Sequence, residues 1–367
     1  MGNAVHRAGS VTADLSVVVC SHNGERRLPS TLASLRRQTL RRPYEVIVVD
    51  DGSRDRTSEV ARLYGARVVT LERDVGLGGA RNAGVSVAEG SIVAFTDDDC
   101  EPAQDWLAAI QSAFSDRAVD GVGGRVLPAC ANAFLLRYLT ARNPLTPLGE
   151  ELLESAGLAY RLRLYLQNVM TGRPGLAEGV ELYSVVGANM AFRRDVIMGL
   201  GGFDEAFTFG GEEEDLCRRA HARPQGARLR YEPSALVSHS FQPKLGDSLR
   251  RARAYGRGHA RGSIKDRDLR LIPYPFPLLL LAAAFPWFVA RRGPLGPLAL
   301  APLAGYARWP SLAWRSRSIE PLAYPYLQLA EELWTMIGEL EGLVAGYTSI
   351  PSTHLSPERS AFSEAPS

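Results

Sequence analysis

Four short apolar runs constrain the fold of this chain more than any other feature. LSVVVC (15–20), YEVIVVD (44–50), ARVVTLE (66–72) and SIVAFTD (91–97) are of strand length and rich in valine and isoleucine. Between them lie ERRLPSTLASLRRQ (25–38), with Leu28, Leu32 and Leu35 at helical spacing, then DRTSEVARLYG (55–65), closed by a glycine, and GARNAGVSVAEG (79–90). Strands without polar alternation are covered on both faces, and strand–helix alternation predicts a parallel sheet with right-handed crossovers, a Rossmann-like half. Such sheets bind ligands beyond the carboxyl ends of their strands. Asp50, Asp51, Asp97, Asp98 and Asp99 all fall at such ends.

After about residue 125 the alternation fades. Helices are expected over 133–170, short strands near 182–193 and 228–239, and a helix from about Glu212. The stretch IPYPFPLLLLAAAFPWFVA (272–290) carries no charge and is just long enough to cross about 30 Å of hydrocarbon. Arginines crowd the residues before it. The expected layout is a polar tail (1–14), an α/β domain (15–245, with a regular half at 15–125 and an irregular half at 126–245), a basic juxtamembrane segment (246–271), a hydrophobic, helical, membrane-associated region (272–350) and a polar tail (351–367). A buried helical subdomain packed on the catalytic half is the competing reading of the hydrophobic region.

The formal charge of +2 over 367 residues favours no class of partner, and the 250–270 arginines lack the interleaved aromatics of a nucleic-acid surface. Cys20, Cys100, Cys130 and Cys217 form no C-x-x-C pair, which reads as reduced thiols in a cytosolic setting. No apolar core of a secretion signal appears in the first fourteen residues. The expected location is therefore the cytoplasmic side of a membrane.

Three adjacent aspartates in FTDDDCEP (95–102) repel one another unless water, a basic partner or a cation takes up the charge. In an extended segment alternate side chains share a side, so Asp97 and Asp99 can converge on one hard cation while Asp98 turns away. The glycines of VGLGGARNAG (75–84) follow the third run, not the first, which rejects a dinucleotide fingerprint. Asp50 and Ser53 suit a tight turn or a helix cap as well as a ligand.

VVVCSHNGER, IVVDDGSRD, VGLGGARNAG and FTDDDCEP, followed by VGANMAFRRDV (186–196), GGFDEAF (201–207) and GGEEEDLCRR (210–219), occur in an order that resembles the nucleotide-sugar glycosyltransferases of family 2, which adopt the GT-A fold. The resemblance covers residues 15–241. It implies a mostly parallel sheet flanked by helices, and inverting, metal-dependent transfer of a sugar from a nucleoside diphosphate-sugar, UDP or GDP, to a carbohydrate or lipid-linked acceptor in cell-envelope polysaccharide or glycolipid synthesis. It implies that Asp51, Arg81, Asn82 and Asp98 face the nucleotide. Asp97 and Asp99, with His239 in the matching histidine position, would hold Mg2+ or Mn2+. Glu213 takes the place of the general base, with Glu212 and Asp215 beside it. The family usually writes Asp where this chain has Glu213, so Glu212 or Glu214 can serve instead. Arg218 and Arg219 are expected to pair with the acidic cluster. A sugar nucleotidyltransferase, which would carry a glycine-rich loop after the first run, and a tethered, non-catalytic nucleotide-sugar binder are the alternatives.

Overall fold

The computed structural model describes residues 14–129, 133–149, 158–172, 175–207, 210–241, 244–266, 274–280, 282 and 295–348. The four apolar runs are strands β1 (Leu15–Ser21), β2 (Tyr44–Asp51), β3 (Arg67–Leu71) and β4 (Ile92–Asp97). The intervening segments form α1 (Leu28–Arg36), α2 (Thr57–Leu63) and α3 (Gly76–Val87). β5 (Cys100–Pro102), α4 (Trp106–Ala113) and β6 (Gly121–Pro128) follow.

The irregular half contributes α5 (Phe134–Arg142), β7 (Leu148–Gly149), α6 (Leu158–Thr171), β8 (Leu182–Ser184), β9 (Met190–Arg193), α7 (Arg194–Gly199), α8 (Glu212–His221) and β10 (Leu229–His239). The remaining helices are α9 (Leu245–Asp266), α10 (Leu295–Gly305), α11 (Arg308–Ser316), a 3-10 turn (Glu320–Ala323) and α12 (Tyr324–Thr348).

The main sheet runs β3-β2-β1-β4-β9-β6-β10-β5. The first four strands are parallel, as expected. The whole is mixed: β9 is antiparallel to both β4 and β6, and β5 is antiparallel to β10. A tight turn, closed by the Asn189 N–H on the Val186 carbonyl, leads into β9 from β8, which belongs to a separate two-stranded sheet.

Two apolar cores cover the sheet faces, one built on Leu15, Val17, Trp106 and Leu107 and the other on Val18, Phe95, Met190 and Phe192. Asn189, fully buried, ties the layers together. Its amide donates to the carbonyls of Arg125 (2.9 Å) and Ala235 (2.7 Å), and its oxygen accepts from Trp106 Nε1 (2.8 Å).

A third core, rich in aromatics, joins Tyr138, Tyr165, Tyr306, Trp309 and Tyr324. Tyr274 and Phe276, at the start of the uncharged stretch, pack edge-on against Tyr165 and Tyr306 at ring separations of 5.8 and 5.4 Å. Buried carboxylates organise this module. Glu331 receives Tyr138 Oη, Arg142 Nε and Ser248 Oγ, and Glu332 receives Tyr165 Oη and Tyr306 Oη. The described part of the expected hydrophobic region is thus a helical subdomain packed on the rest. Among the described residues no helix is long and apolar enough to cross a membrane. α12 has the length, but its four glutamates, needed for this network and for arginine pairing, exclude it. Residues 272–273, 281 and 283–290 of the expected span lie outside the described residues.

The segment expected to lie beside a membrane is also built differently. α9 runs along α12, and small residues let the two backbones touch. A Cβ on Gly256 would meet the Thr335 carbonyl oxygen at 2.0 Å, and one on Gly338 would meet that of Arg253 at 1.9 Å. Arg253 pairs with Glu341, and Lys265 pairs with Asp204 and Asp215 at 2.7 and 2.6 Å. Several of the basic residues are therefore spent on holding this helix in place.

Candidate functional site

A cleft of about 370 Å3 opens at the carboxyl ends of β1, β2 and β4, where the aspartates were expected to face a ligand. At the end of β2 Asp51 accepts the backbone N–H groups of Val75 (2.8 Å) and Gly76 (3.1 Å), which fixes the entry to α3. Burial raises its carboxyl despite these bonds. The loop after β1 is stapled to the turn after β2: Asn23 N–H donates to Ser53 Oγ and Gly24 N–H to Thr57 Oγ1, both at 2.8 Å. Asp50 accepts the Ser53 N–H and holds this turn.

The three aspartates separate as expected, but through a turn: β4 ends at Asp97, and Asp98 and Asp99 lie in the turn before β5, not in an extended segment. Asp98 turns away, and both of its oxygens are occupied. Arg27 Nε donates to Oδ1 (3.0 Å), while Arg27 Nη2 (2.9 Å) and Ser21 Oγ (2.6 Å) donate to Oδ2. Its carboxylate braces the loop after β1, a structural task that the expected nucleotide contact did not include.

Asp97 and Asp99 share a side with His239 and Cys100, and one ligand atom from each lies within 4.8 Å of the others. The register of β10 against β5 makes this possible by setting His239 opposite Cys100. Burial is the first cause that pushes both carboxyls up to about 6; neighbouring aspartates add to it, Asp99 on Asp97 and Asp98 on Asp99. Burial pushes His239 down to about 4, so its ring is neutral at pH 7. His239 Nε2 is 3.5 Å from Asp99 Oδ1, and its buried Nδ1 has no partner among the described residues. Two carboxylates repelling one another and a neutral, under-satisfied imidazole suit a hard divalent cation such as Mg2+ or Mn2+. Cys100 fits it poorly, because burial pushes its thiol well up and keeps it protonated.

Arg81 forms the opposite wall. It is fully buried, with Nη1 2.6 Å from Glu212 Oε1 and Nη2 3.7 Å from Asp97 Oδ1. A side chain at Gly187 would strike it, since a Cβ there would lie 2.4 Å from Nη2. α8 delivers the acids here because Gly210 and Gly211 adopt φ of +78° and +95°, a turn that other residues rarely make. Glu213, half-buried, lines the cleft with an enclosed Oε2 that has no partner among the described residues. Burial first, and the adjacent Glu212 second, push its carboxyl up to about 8, against the pull of Arg81.

Two expected site residues lie elsewhere. Asn82 clamps the 203–205 loop, donating to the Phe203 carbonyl (2.9 Å) and Glu205 and accepting the Phe203 N–H (2.8 Å). Its place on α3 turns it off the wall that Arg81 occupies. Asp215 is buried on the far side of α8, saturated by Arg218 (2.6 Å), Arg219 (2.7 Å) and Lys265 (2.6 Å). The expected pairing of Arg218 and Arg219 with the acidic cluster is what the structure contains. Neither Asn82 nor Asp215 lines the cleft.

Sequence reasoning missed Arg27 and two residues of α9. Arg251 and Tyr255, one helical turn apart, line the cleft. Arg251 lies 4.5 Å from the centre of the Phe241 ring. Their i, i+4 spacing was the available signal, hidden within a stretch of arginines.

A family profile described as Glycosyl transferase family 2 matches residues 16–201, just over half of the chain, and takes in β1 to β4 and β9. A pre-mycofactocin glycosyltransferase of Mycobacterium tuberculosis is 32% identical over 267 residues, 71% of this chain and 50% of that protein. A glucosyl-dolichyl phosphate glucuronosyltransferase of Haloferax volcanii is 28% identical over 243 residues, 62% of this chain and 69% of that protein. The chain spans about half the length, or less, of several curated relatives that it matches. A mannosyltransferase from Pyrobaculum calidifontis, solved with GDP-Man and Mn2+, shares the fold with a TM-score of 0.53 at 22% identity, over 89% of this chain and 88% of that one. With the profile matching just over half of the chain and covering the parallel strands whose carboxyl ends carry the aspartates of the cleft, the chain belongs to glycosyl transferase family 2.

Proposed function

We propose that this chain transfers a sugar, with inversion, from a nucleoside diphosphate-sugar to an acceptor hydroxyl. The observation that carries the reading is one cleft that holds Asp97, Asp99 and His239 on one side and an unpartnered carboxylate, Glu213, on the other. Asp97, Asp99 and His239 would hold Mg2+ or Mn2+, which when bound offsets the charge that grows on a leaving diphosphate. Arg251 adds a fixed positive charge to the same cleft. Asp51 and the loop braced by Asp98 and Arg27 receive the nucleoside.

Glu213 takes the proton of the attacking hydroxyl. A carboxyl pushed up to about 8 is a stronger base than an ordinary glutamate once it has ionised. Arg81 occupies Glu212 by pairing with it at 2.6 Å, which leaves Glu213 as the carboxylate open to the cleft. The extra methylene that separates Glu213 from the aspartate usual in the family is accommodated by its helix-start position, set by Gly210 and Gly211.

The relative named for a dolichyl phosphate-linked substrate favours a lipid-linked acceptor, and with it glycolipid or envelope synthesis at the cytoplasmic face of a membrane. The fold neighbour solved with GDP-Man and Mn2+ favours manganese and, of the two expected donors, a GDP-sugar. The test is a panel of UDP- and GDP-sugars with Mn2+, read as released nucleoside diphosphate and as product anomer. Transfer by the wild type that is lost in Glu213→Gln supports the reading. Nucleotide binding without turnover in the wild type replaces it with the non-catalytic binder.

A further inference from the structure

A second cavity, also about 370 Å3, adjoins the cleft, and Leu145 stands in the wall of both. Four arginines line it: Arg125 of β6, Arg142 of α5, and Arg308 and Arg315 of α11. Among the described residues no carboxylate forms part of the lining.

The four guanidinium groups divide into two kinds. Arg142 and Arg308 are fixed in place. Arg142 Nε donates to Glu331 (2.8 Å), and Arg308 donates to Asn168 Oδ1 and the Ala141 carbonyl, both at 2.9 Å, while lying 4.0 Å from the Trp309 ring centre. Arg125 and Arg315 make no hydrogen bond or ion pair through their side chains among the described residues. Two anchored and two unengaged arginines around one hollow form a receptor for a compact anion, because fixed and mobile forks together can surround phosphoryl oxygens. An independent observation points the same way. Asn143 lines the cavity with a left-handed backbone (φ +39°), gives its amide to the Val126 carbonyl (3.1 Å), and leaves a buried Oδ1 without a partner among the described residues. That oxygen is placed to accept a hydroxyl that accompanies the anion.

We propose that this cavity binds a phosphoryl or diphosphoryl group of the acceptor, apart from the hydroxyl that reacts. The word acceptor rests on the transferase reading, whereas the anion site itself does not. The apolar lining of Leu145, Leu176 and Leu312 beside the arginines suits a phosphate that carries an organic chain or sugar.

The experiment is calorimetric titration of the full chain with glucose 1-phosphate and with farnesyl phosphate, in EDTA, so that the carboxylates of the cleft repel rather than attract the anion. Both ligands should bind the wild type, with affinity that falls as salt rises. The Arg125→Gln, Arg315→Gln double variant should bind each at least tenfold more weakly, and Asn143→Asp should weaken them further by placing a negative charge in the site. Tighter binding of farnesyl phosphate supports the site with a lipid-linked source, and equal binding supports it with a soluble one. No affinity in the wild type, or equal affinity in the double variant, overturns the proposal. Nucleoside diphosphate binding with Mn2+, measured on the same proteins, should be unchanged in the double variant. Its absence in the wild type would remove the transferase reading and leave the anion site standing.

Discussion

Arg27 grips Asp98 through both forks, Nε to Oδ1 at 3.0 Å and Nη2 to Oδ2 at 2.9 Å, and so withdraws the middle of three aspartates from the other two. The pairing removes one repulsive charge from the shared side of Asp97 and Asp99 and fastens the loop after β1 to the end of β4. The loop after β1 and the acidic end of the cleft are thereby joined.

Replacing Arg27 by alanine should leave a buried carboxylate without its partner. The expected cost is about 1–2 kcal/mol, moderated because Arg27 is itself partly exposed. Nucleoside diphosphate affinity should fall about tenfold, one decade being about 1.4 kcal/mol. Urea unfolding and calorimetry measure the two effects. Arg27→Lys keeps the charge but loses the fork, so it should restore stability only in part.

Turnover should rise with pH toward about 8, because Glu213 must lose its proton to act as a base and burial holds that proton on. Glu213→Gln should lower kcat by about 10²–10⁴ and abolish this rise while leaving nucleotide affinity intact. The same group predicts a stability trend in the metal-free protein. Its carboxyl is raised in the fold, so its contribution is complete below the ordinary value of 4.5 and is lost as pH climbs through about 8. The Gln variant should lack that part of the decline in a pH series of denaturation curves.

Chelation should remove nucleoside diphosphate binding, and Mn2+ should restore it. Asp99→Asn, which removes a charge and little volume, should weaken the Mn2+ response about tenfold or more, read as the thermal shift produced by metal with diphosphate. An unchanged shift would separate this cluster from the cation.

Asn189→Ala strips partners from the carbonyls of Arg125 and Ala235 and from the Trp106 indole N–H, all within the sheet's interior. A loss of about 3 kcal/mol is expected, since each buried polar group left without a bond costs about 1–3 kcal/mol. Guanidinium denaturation tests it.

The first half of the fold was legible because unbroken β-branched runs ending in acids have few other uses. Asp97 and Asp99 could be grouped, and Asp98 set apart, from the two-residue period of an extended chain, although a turn makes the separation. Arg27 could not be found, since its partner lies 71 residues away and no local pattern records the pairing. The acidic start of α8 gave the opposite difficulty. Four consecutive carboxylates identify a helix start, but which one faces the cleft depends on the helix's rotation. Packing turns Glu213 inward and gives Asp215 to Arg218, Arg219 and Lys265. For α9, composition misled. A density of arginines suggested a lipid-facing surface, whereas contacts made in three dimensions assign Arg253 and Lys265 to protein carboxylates and Arg251 to the cleft.

The glycine seam between α9 and α12 carries a consequence for how the molecule can be divided. Arg251 and Tyr255 sit on the helix that this seam holds, so cutting the chain after the last strand would remove one wall of the cleft along with its buttress. The stretch matched by the family profile ends well before either helix. The wall that Arg251 and Tyr255 give to the cleft thus comes from a part of the chain outside the matched stretch, held by a seam of glycines.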